Sequence, residues 1–427
     1  MAADTNTALQ NQLIYCIYVR AHTEEGSFRA IIPDLERIKE LGTDIIWFMP
    51  IHPIGVEGKK GSLGCPYANR DYRTVNPAYG TMADFRLLTD EIHRLGMKCM
   101  IDVVYNHTSP DSTLLNEHPE FFYRDENGRT GNRMGDWADV IDLDYSNKAL
   151  WDYQIESLKM WAGIVDGFRC DVASFLPVEF WKRARKEVAQ INPDCIWLAE
   201  SVHSKFGWFA RHHGVNSALD YALFEAFDIE YEYDVRPTFE RWLKGEIKLS
   251  HYLDMLNFQE VSYPVNYNKL RYLENHDLPR FASFVSDEKL MRNYLAMLYF
   301  NKGTTLLYAG QEFENTHTPS LFEREPIDRN TGADLSGQLR KLGEIKHTYL
   351  GADDSLWCDA DDEHSVAVFT REGSLGKTVG VFSLRGESAD IAVELPDGDY
   401  TNLIDSNIVS VKCSKLRTNG EPIIIKA

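Results

Sequence analysis

Short apolar runs recur along the first three quarters of the chain, each giving way to polar residues and then to a longer stretch with apolar positions at helical spacing. The runs occupy 13–19, 44–49, 98–104, 167–170, 195–199, 218–224, 270–273 and 304–308. Helical spacing covers 34–41, 82–95, 148–161, 177–190, a tract over 239–256, and 287–300. Thr81 with Asp84 spells a reciprocally capped helix start, and Pro177 suits a first helical turn. The runs are rich in Val, Ile, Leu and Met with little alternation, the pattern of parallel strands covered on both faces. Eight of them alternating with helices predict an α/β architecture, a (β/α)8 TIM barrel. A doubly wound open sheet is the rival, but no GxGxxG turn follows any run.

One connection is long for a barrel loop. Residues 108–147 are rich in Asp, Asn, Gly and aromatics, and are read as a short inserted subdomain after the third strand. The barrel then comprises 1–107 and 148–350. From 351 to 427 the pattern changes to alternating segments (365–370, 378–383, 391–395) separated by Gly, Asp and Pro, which predicts a C-terminal antiparallel β-sandwich domain.

Charge narrows the partners. With 45 Lys plus Arg against 65 Asp plus Glu the net charge is −20, which disfavours nucleic acid. Hydrophobic residues at 44% and charged residues at 26% describe a globular chain. No apolar run approaches the roughly 18 residues that span a bilayer, so no membrane partner is expected. Residues 1–10 are polar and lack the pattern of an export signal, and the seven scattered cysteines lack any CxxC pair. The expectation is a cytoplasmic protein with buried, reduced thiols.

In a parallel barrel the chemistry sits at the C-terminal rim, so the residues ending each run are the candidates. They are Asp102, Asn106 and His107; Arg169 and Asp171; Glu200; and Glu274, Asn275, His276 and Asp277. Charged groups that end buried strands must be partnered or used. Arg169 and Asp171, two apart, point to one side while Cys170 points to the other. An arginine beside a carboxylate favours its ionised form, as a nucleophile needs, although an isolated pair would serve equally as a structural lock.

These segments resemble the signatures of glycoside hydrolase family 13, the α-amylase family, in the family's order. They are Asp102-Val103-Val104-Tyr105-Asn106-His107, Gly167-Phe168-Arg169-Cys170-Asp171-Val172-Ala173, Ala199-Glu200-Ser201 and Glu274-Asn275-His276-Asp277. Supporting stretches begin at Pro66-Tyr67, Ile141-Asp142 and Tyr308-Ala309-Gly310. The resemblance implies that Asp171 is the nucleophile, Glu200 the general acid and then base, and Asp277 the residue that grips sugar hydroxyls in the transition state. It implies a substrate-binding set of Tyr67 stacked under the sugar, His107 and His276 donating to its hydroxyls, and Asp102 and Arg169. Retaining cleavage needs two carboxyls about 5 to 5.5 Å apart, one ionised and one protonated.

Asn106 and Asp142 match positions of a calcium in the family, but they could equally bond each other, and the expectation is that no cofactor or ion is required. The Lys-His pair that often follows the nucleophile is replaced by Ser174 and Phe175, and Val172 stands where some α-1,6-acting members also carry valine. The expected activity is hydrolysis of α-1,4 bonds in starch-derived oligosaccharides, the α-glucan being the expected partner. Alternatives are an α-1,6-glucosidase or neopullulanase-like enzyme, a transglycosylase or phosphorylase of the same family, and more remotely a catalytically silent sugar-binding barrel.

Overall fold

The computed structural model describes residues 5–135 and 137–427; the first four residues of the polar leader and Asp136 of the inserted segment lie outside the described residues. Among the described residues, eight parallel strands close into a barrel: β1 Leu13–Ile17, β2 Ile45–Phe48, β3 Lys98–Val103, β4 Gly167–Cys170, β5 Ile196–Ala199, β6 Ile229–Tyr231, β7 Lys269–Arg271 and β8 Thr304–Tyr308. The ring closes where Leu13 of β1 faces Thr305 of β8 and Ile14 faces Ile45 of β2. Uniformly apolar strands serve two cores at once. Leu13, Tyr15 and Ile17 face the helices, while Ile14 and Cys16 join Trp47, Met100, Leu198 and Leu306 in the lumen. Gly167 opens β4 because a Cβ there would stand 2.8 Å from the Ile196 carbonyl oxygen and 3.1 Å from Met100 Cε.

The sixth strand departs from expectation. The run 218–224 contains Asp220–Leu223 as a single helical turn, and the strand is Ile229–Tyr231. Ile229 and Tyr231 fill the lumen, while Glu230 between them is fully buried on the outer side, 3.3 Å from Lys269 Nζ. A buried ion pair thus breaks the apolar signature. The tract 239–256 resolves into two helices, Arg236–Leu243 and Leu249–Ser262, separated at Gly245, whose φ is 72°. The helix Met82–Arg94 starts at the Thr81/Asp84 capping box, as its spacing predicts.

In the inserted segment a short helix, Thr113–Glu117, precedes the strand Ile141–Asp142, which pairs antiparallel with His107–Thr108. Beyond the barrel two four-stranded antiparallel sheets share an apolar core that includes Val366, Val379, Ile391 and Leu416. Asn293, in the helix Glu288–Phe300, ties them to the barrel by donating to the Gly420 carbonyl (2.8 Å) and accepting from the Ser383 N–H (2.7 Å). All seven cysteines are free, but two differ from the expected buried thiols: Cys65 is half-buried and Cys413 exposed. Among the described residues no helix is long and apolar enough to cross a membrane.

Candidate active site

The rim residues are placed by strand pairing that runs one residue past the strands. The Asp171 N–H donates to the Val103 carbonyl (3.0 Å) and the Glu200 N–H to the Cys170 carbonyl (3.0 Å), so each carboxylate leaves the barrel from a peptide still held by its neighbour. Asp102 on β3 stands in register with Arg169 on β4. Arg169 points into the lumen and Cys170 into the helix layer, as their spacing requires.

Arg169 is the hub. Its Nη1 donates to Asp102 (3.0 and 3.1 Å) and to Asp171 Oδ1 (2.8 Å). Its Nη2 stands 3.0 Å from Glu200 Oε1 without aiming an N–H at it, a Coulombic contact rather than a hydrogen bond. Trp47 and Tyr231 pack at 5.4 Å from the guanidinium carbon and Tyr67 at 5.7 Å, which keeps water from the cluster. The other Glu200 oxygen accepts the Val172 N–H at 2.7 Å. Val172 has φ 35° and ψ 46°, a left-handed conformation that is unusual for a β-branched residue and costs on the order of 1–3 kcal/mol. That strained peptide delivers its N–H from the β4 end to the carboxyl at the β5 end.

The two carboxyl groups sit in different surroundings. Burial pushes Glu200 well above the ordinary carboxyl range; Arg169 opposes this, and the negative charges of Asp171 and Asp277 add to it. Burial likewise pushes Asp102 up to about 7 against the attraction of Arg169. On the other wall the Tyr67 ring stacks on His276 with centroids 5.5 Å apart and an interplanar angle of 13°. Burial holds His276 below its usual range, so it is neutral. With the proton on Nε2, His276 donates to the Tyr67 hydroxyl (2.7 Å), which donates in turn to Asp102 Oδ2 (3.1 Å).

Tyr67, His107, Asp171, Glu200, His276 and Asp277 line one cavity of about 470 Å3. Two expected substrate contacts lie elsewhere. Asp102 and Arg169 are wholly buried beneath the cavity floor and reach it only through Tyr67, Asp171 and Glu200. Glu274 turns away to Arg280 (2.6 Å) and the Phe281 N–H (2.6 Å), and supports the loop that carries Asp277. Asn106 places its amide against His107 Nδ1 (3.1 Å), and Asp142 is taken by Arg133 (2.9 Å), so the two do not bond each other. Among the described residues no three acidic, histidine or cysteine side chains form a metal-binding group.

Several lining residues carry no mark in the sequence pattern. Tyr233 follows β6 and is hidden with it. Lys60 and Asp139 pair across the rim at 3.0 Å. Phe206 and Trp137 line the cavity with ring centres 6.0 Å apart, and Phe175 packs on Phe206 at 5.4 Å. Phe175 therefore supplies an aromatic face where the resemblance leads one to expect a histidine.

The family model for the α-amylase catalytic domain matches residues 4–138 and 134–355, and the model for the bacterial α-amylase C-terminal domain matches 358–425. The chain belongs to the α-amylase family. Among solved structures it is similar to an α-amylase from Lactobacillus plantarum, at 43% identity and a TM-score of 0.95, covering 99% of this chain and 100% of that one. A maltogenic α-amylase from Thermotoga neapolitana is 33% identical, with a TM-score of 0.87, over 98% of this chain and 99% of its own. An oligo-1,6-glucosidase from Parageobacillus thermoglucosidasius is 25% identical over 404 residues, 74% of this chain and 67% of that enzyme. Among such curated relatives the match covers between 41% and 67% of the relative's own length. This α-amylase-family chain thus carries the four signatures on the barrel, with a cavity at their meeting point.

Proposed function

We propose that the chain is a retaining glycoside hydrolase that cleaves α-1,4-glucosidic bonds of starch-derived oligosaccharides in the cytoplasm. The observation that carries this reading is the shared guanidinium: Asp171 and Glu200 each stand within 3.0 Å of Arg169 at the base of one cavity, and burial with the neighbouring anions pushes Glu200 well above the ordinary carboxyl range. Glu200 gives its proton to the glycosidic oxygen while an Asp171 oxygen attacks the anomeric carbon; the C–O bond breaks and the leaving sugar departs as an alcohol. Glu200, now a carboxylate, takes a proton from water, and that water's oxygen displaces Asp171 with the original configuration restored. Asp277 and His276 hold hydroxyls of the sugar being cleaved, and Tyr67 presents its ring to the apolar sugar face.

The α-1,4 preference is supported by the two α-amylase structures at 43% and 33% identity. An α-1,6 activity draws on the 25%-identical oligo-1,6-glucosidase and on Val172. A chromatographic time course with maltoheptaose, isomaltose and pullulan separates the two. We expect maltoheptaose to be cut at least about tenfold faster than isomaltose; a reversed ratio replaces this reading with the second.

The pH profile tests the acid. A general acid works only while protonated, so kcat/KM falls as the pH rises through the elevated value of Glu200. Asp277→Asn removes one of the anions that elevate it. The basic limb of the residual activity on an aryl α-maltoside is expected to move to lower pH. A limb that stays in place dissociates it from Glu200.

A further inference from the structure

One side chain of the inserted segment, Arg133, bonds both within the segment and to the catalytic rim. Arg133 donates both its main-chain N–H (3.0 Å) and its Nε (2.9 Å) to Asp142 Oδ2, and its Nη1 to the Gly214 carbonyl (3.1 Å). Its guanidinium carbon lies 4.6 Å from the centre of the Tyr123 ring. Gly214 leads into Asn216, whose amide donates to the carbonyls of Ser174 (3.2 Å) and Leu176 (2.9 Å), while the Ala218 N–H donates to Ser174 as well (2.8 Å). The Arg133 guanidinium therefore joins the inserted segment to the loop after β5, and that loop grips the backbone just after Asp171.

The family resemblance places a calcium beside Asn106 and Asp142, and the residues present do not fit one. Calcium takes six to eight oxygen ligands. Asp142 Oδ2 already accepts two N–H donors, and a guanidinium nitrogen 2.9 Å away repels a divalent cation. Asn106 turns its amide nitrogen to His107. Asp142 Oδ1 is buried without a partner, which leaves one free carboxylate oxygen where a full shell is needed. Asp142 is 1% exposed and carries a charge that must be met from within the protein.

We propose that the Arg133 guanidinium, clamped between Asp142, Gly214 and Tyr123, is the resident cation that cross-links the inserted segment to the catalytic rim, and that the chain takes no calcium there. A planar fork suits this role because it bonds a carboxylate and a carbonyl in two directions while its face stays on an aromatic ring. The cross-link needs no metal supply and survives a chelator.

The test is thermal unfolding of the full chain with a chelator and with millimolar calcium, beside calorimetric titration with calcium chloride. The wild type is expected to give the same Tm in both solutions and no saturable heat. Arg133→Met is expected to lower Tm by about 3 °C or more, since it leaves Asp142 buried and unpaired. Arg133→Met combined with Asp142→Asn is expected to recover at least half of that loss, because the charge needing a partner is gone. A calcium-dependent rise in the Tm of the wild type, saturable calcium binding, an unchanged Tm in Arg133→Met, or no recovery in the double variant overturns the proposal. If Arg133→Met does not fold, Asp142→Asn alone with the wild-type chelator and titration arms decides, since that variant is expected to be milder than the loss of Arg133.

Discussion

Asp171→Asn and Glu200→Gln are each expected to lower kcat on maltoheptaose by at least about a thousandfold, a barrier increase of about 4 kcal/mol. The two losses differ in kind. Without the Asp171 carboxylate no covalent intermediate forms, so a substrate with a better leaving group gains nothing. Without the Glu200 proton the leaving oxygen departs unprotonated, so an activated fluoride or aryl glycoside still glycosylates Asp171 and then stalls for want of a base. A small nucleophilic anion such as azide, which needs no deprotonation, is expected to restore turnover to Glu200→Gln and not to Asp171→Asn. Product analysis reads the difference directly, and equal rescue of both variants would reverse or abolish the assignment.

The same substitution has a stability consequence with a definite sign. Glu200 has a folded-state pKa raised above its unfolded value, chiefly by burial. Its favourable contribution is complete below the unfolded pKa and is lost as the pH rises through the folded one. Glu200→Gln carries no such loss, so its stability relative to the wild type is expected to increase with pH across that window. Chemical denaturation of both proteins at acidic and neutral pH checks it. A catalytic acid that lowers the stability of its own fold is the usual trade at an active site.

Much of this arrangement is legible in the chain because buried parallel strands repeat a simple signature and end on charged residues. β4 and β5 begin and end within one residue of the apolar runs, so the pattern alone puts Asp171 and Glu200 on one rim. β6 escapes the pattern because its middle residue is Glu230, whose partner Lys269 lies on the next strand; pairing across strands leaves no local mark. Alternation gives direction but not depth. It correctly turns Arg169 inward and cannot tell that Asp102 and Arg169 lie under the floor rather than in the cavity. Val172 illustrates a different limit. A positive φ is read from Gly or Asn, and valine at that position signals a strand. Arg133 reaches Gly214 across 81 residues, so nothing near it in the chain singles it out among the basic residues.

Arg169→Met is expected to produce the largest combined loss, in stability and in activity together. The side chain is wholly buried and is shared by Asp102, Asp171 and Glu200; removing it leaves three acidic groups facing one another without a cation. Breaking a buried ion pair by deleting one partner costs about 3 to 5 kcal/mol. The cost grows with pH, because attraction to Arg169 is what opposes the upward push of burial on Asp102 and Glu200. Once it is gone both values rise further, and the folded state must either hold protons or bear bare charges. The variant is therefore expected to be most stable at acidic pH and to lose ground steadily toward neutrality, with kcat reduced at least about a thousandfold. Arg169→Lys separates charge from geometry. An ammonium can meet one carboxylate but cannot present two nitrogens to Asp171 and Glu200 at once, so it is expected to regain stability and little activity. Adding Asp102→Asn to Arg169→Met is expected to restore part of the stability without restoring turnover, since Asp102 reaches the cavity only through Tyr67 and Arg169. If Arg169→Met keeps the wild-type denaturation midpoint and more than about a tenth of the activity, the guanidinium is not what holds the two reacting carboxyls in place.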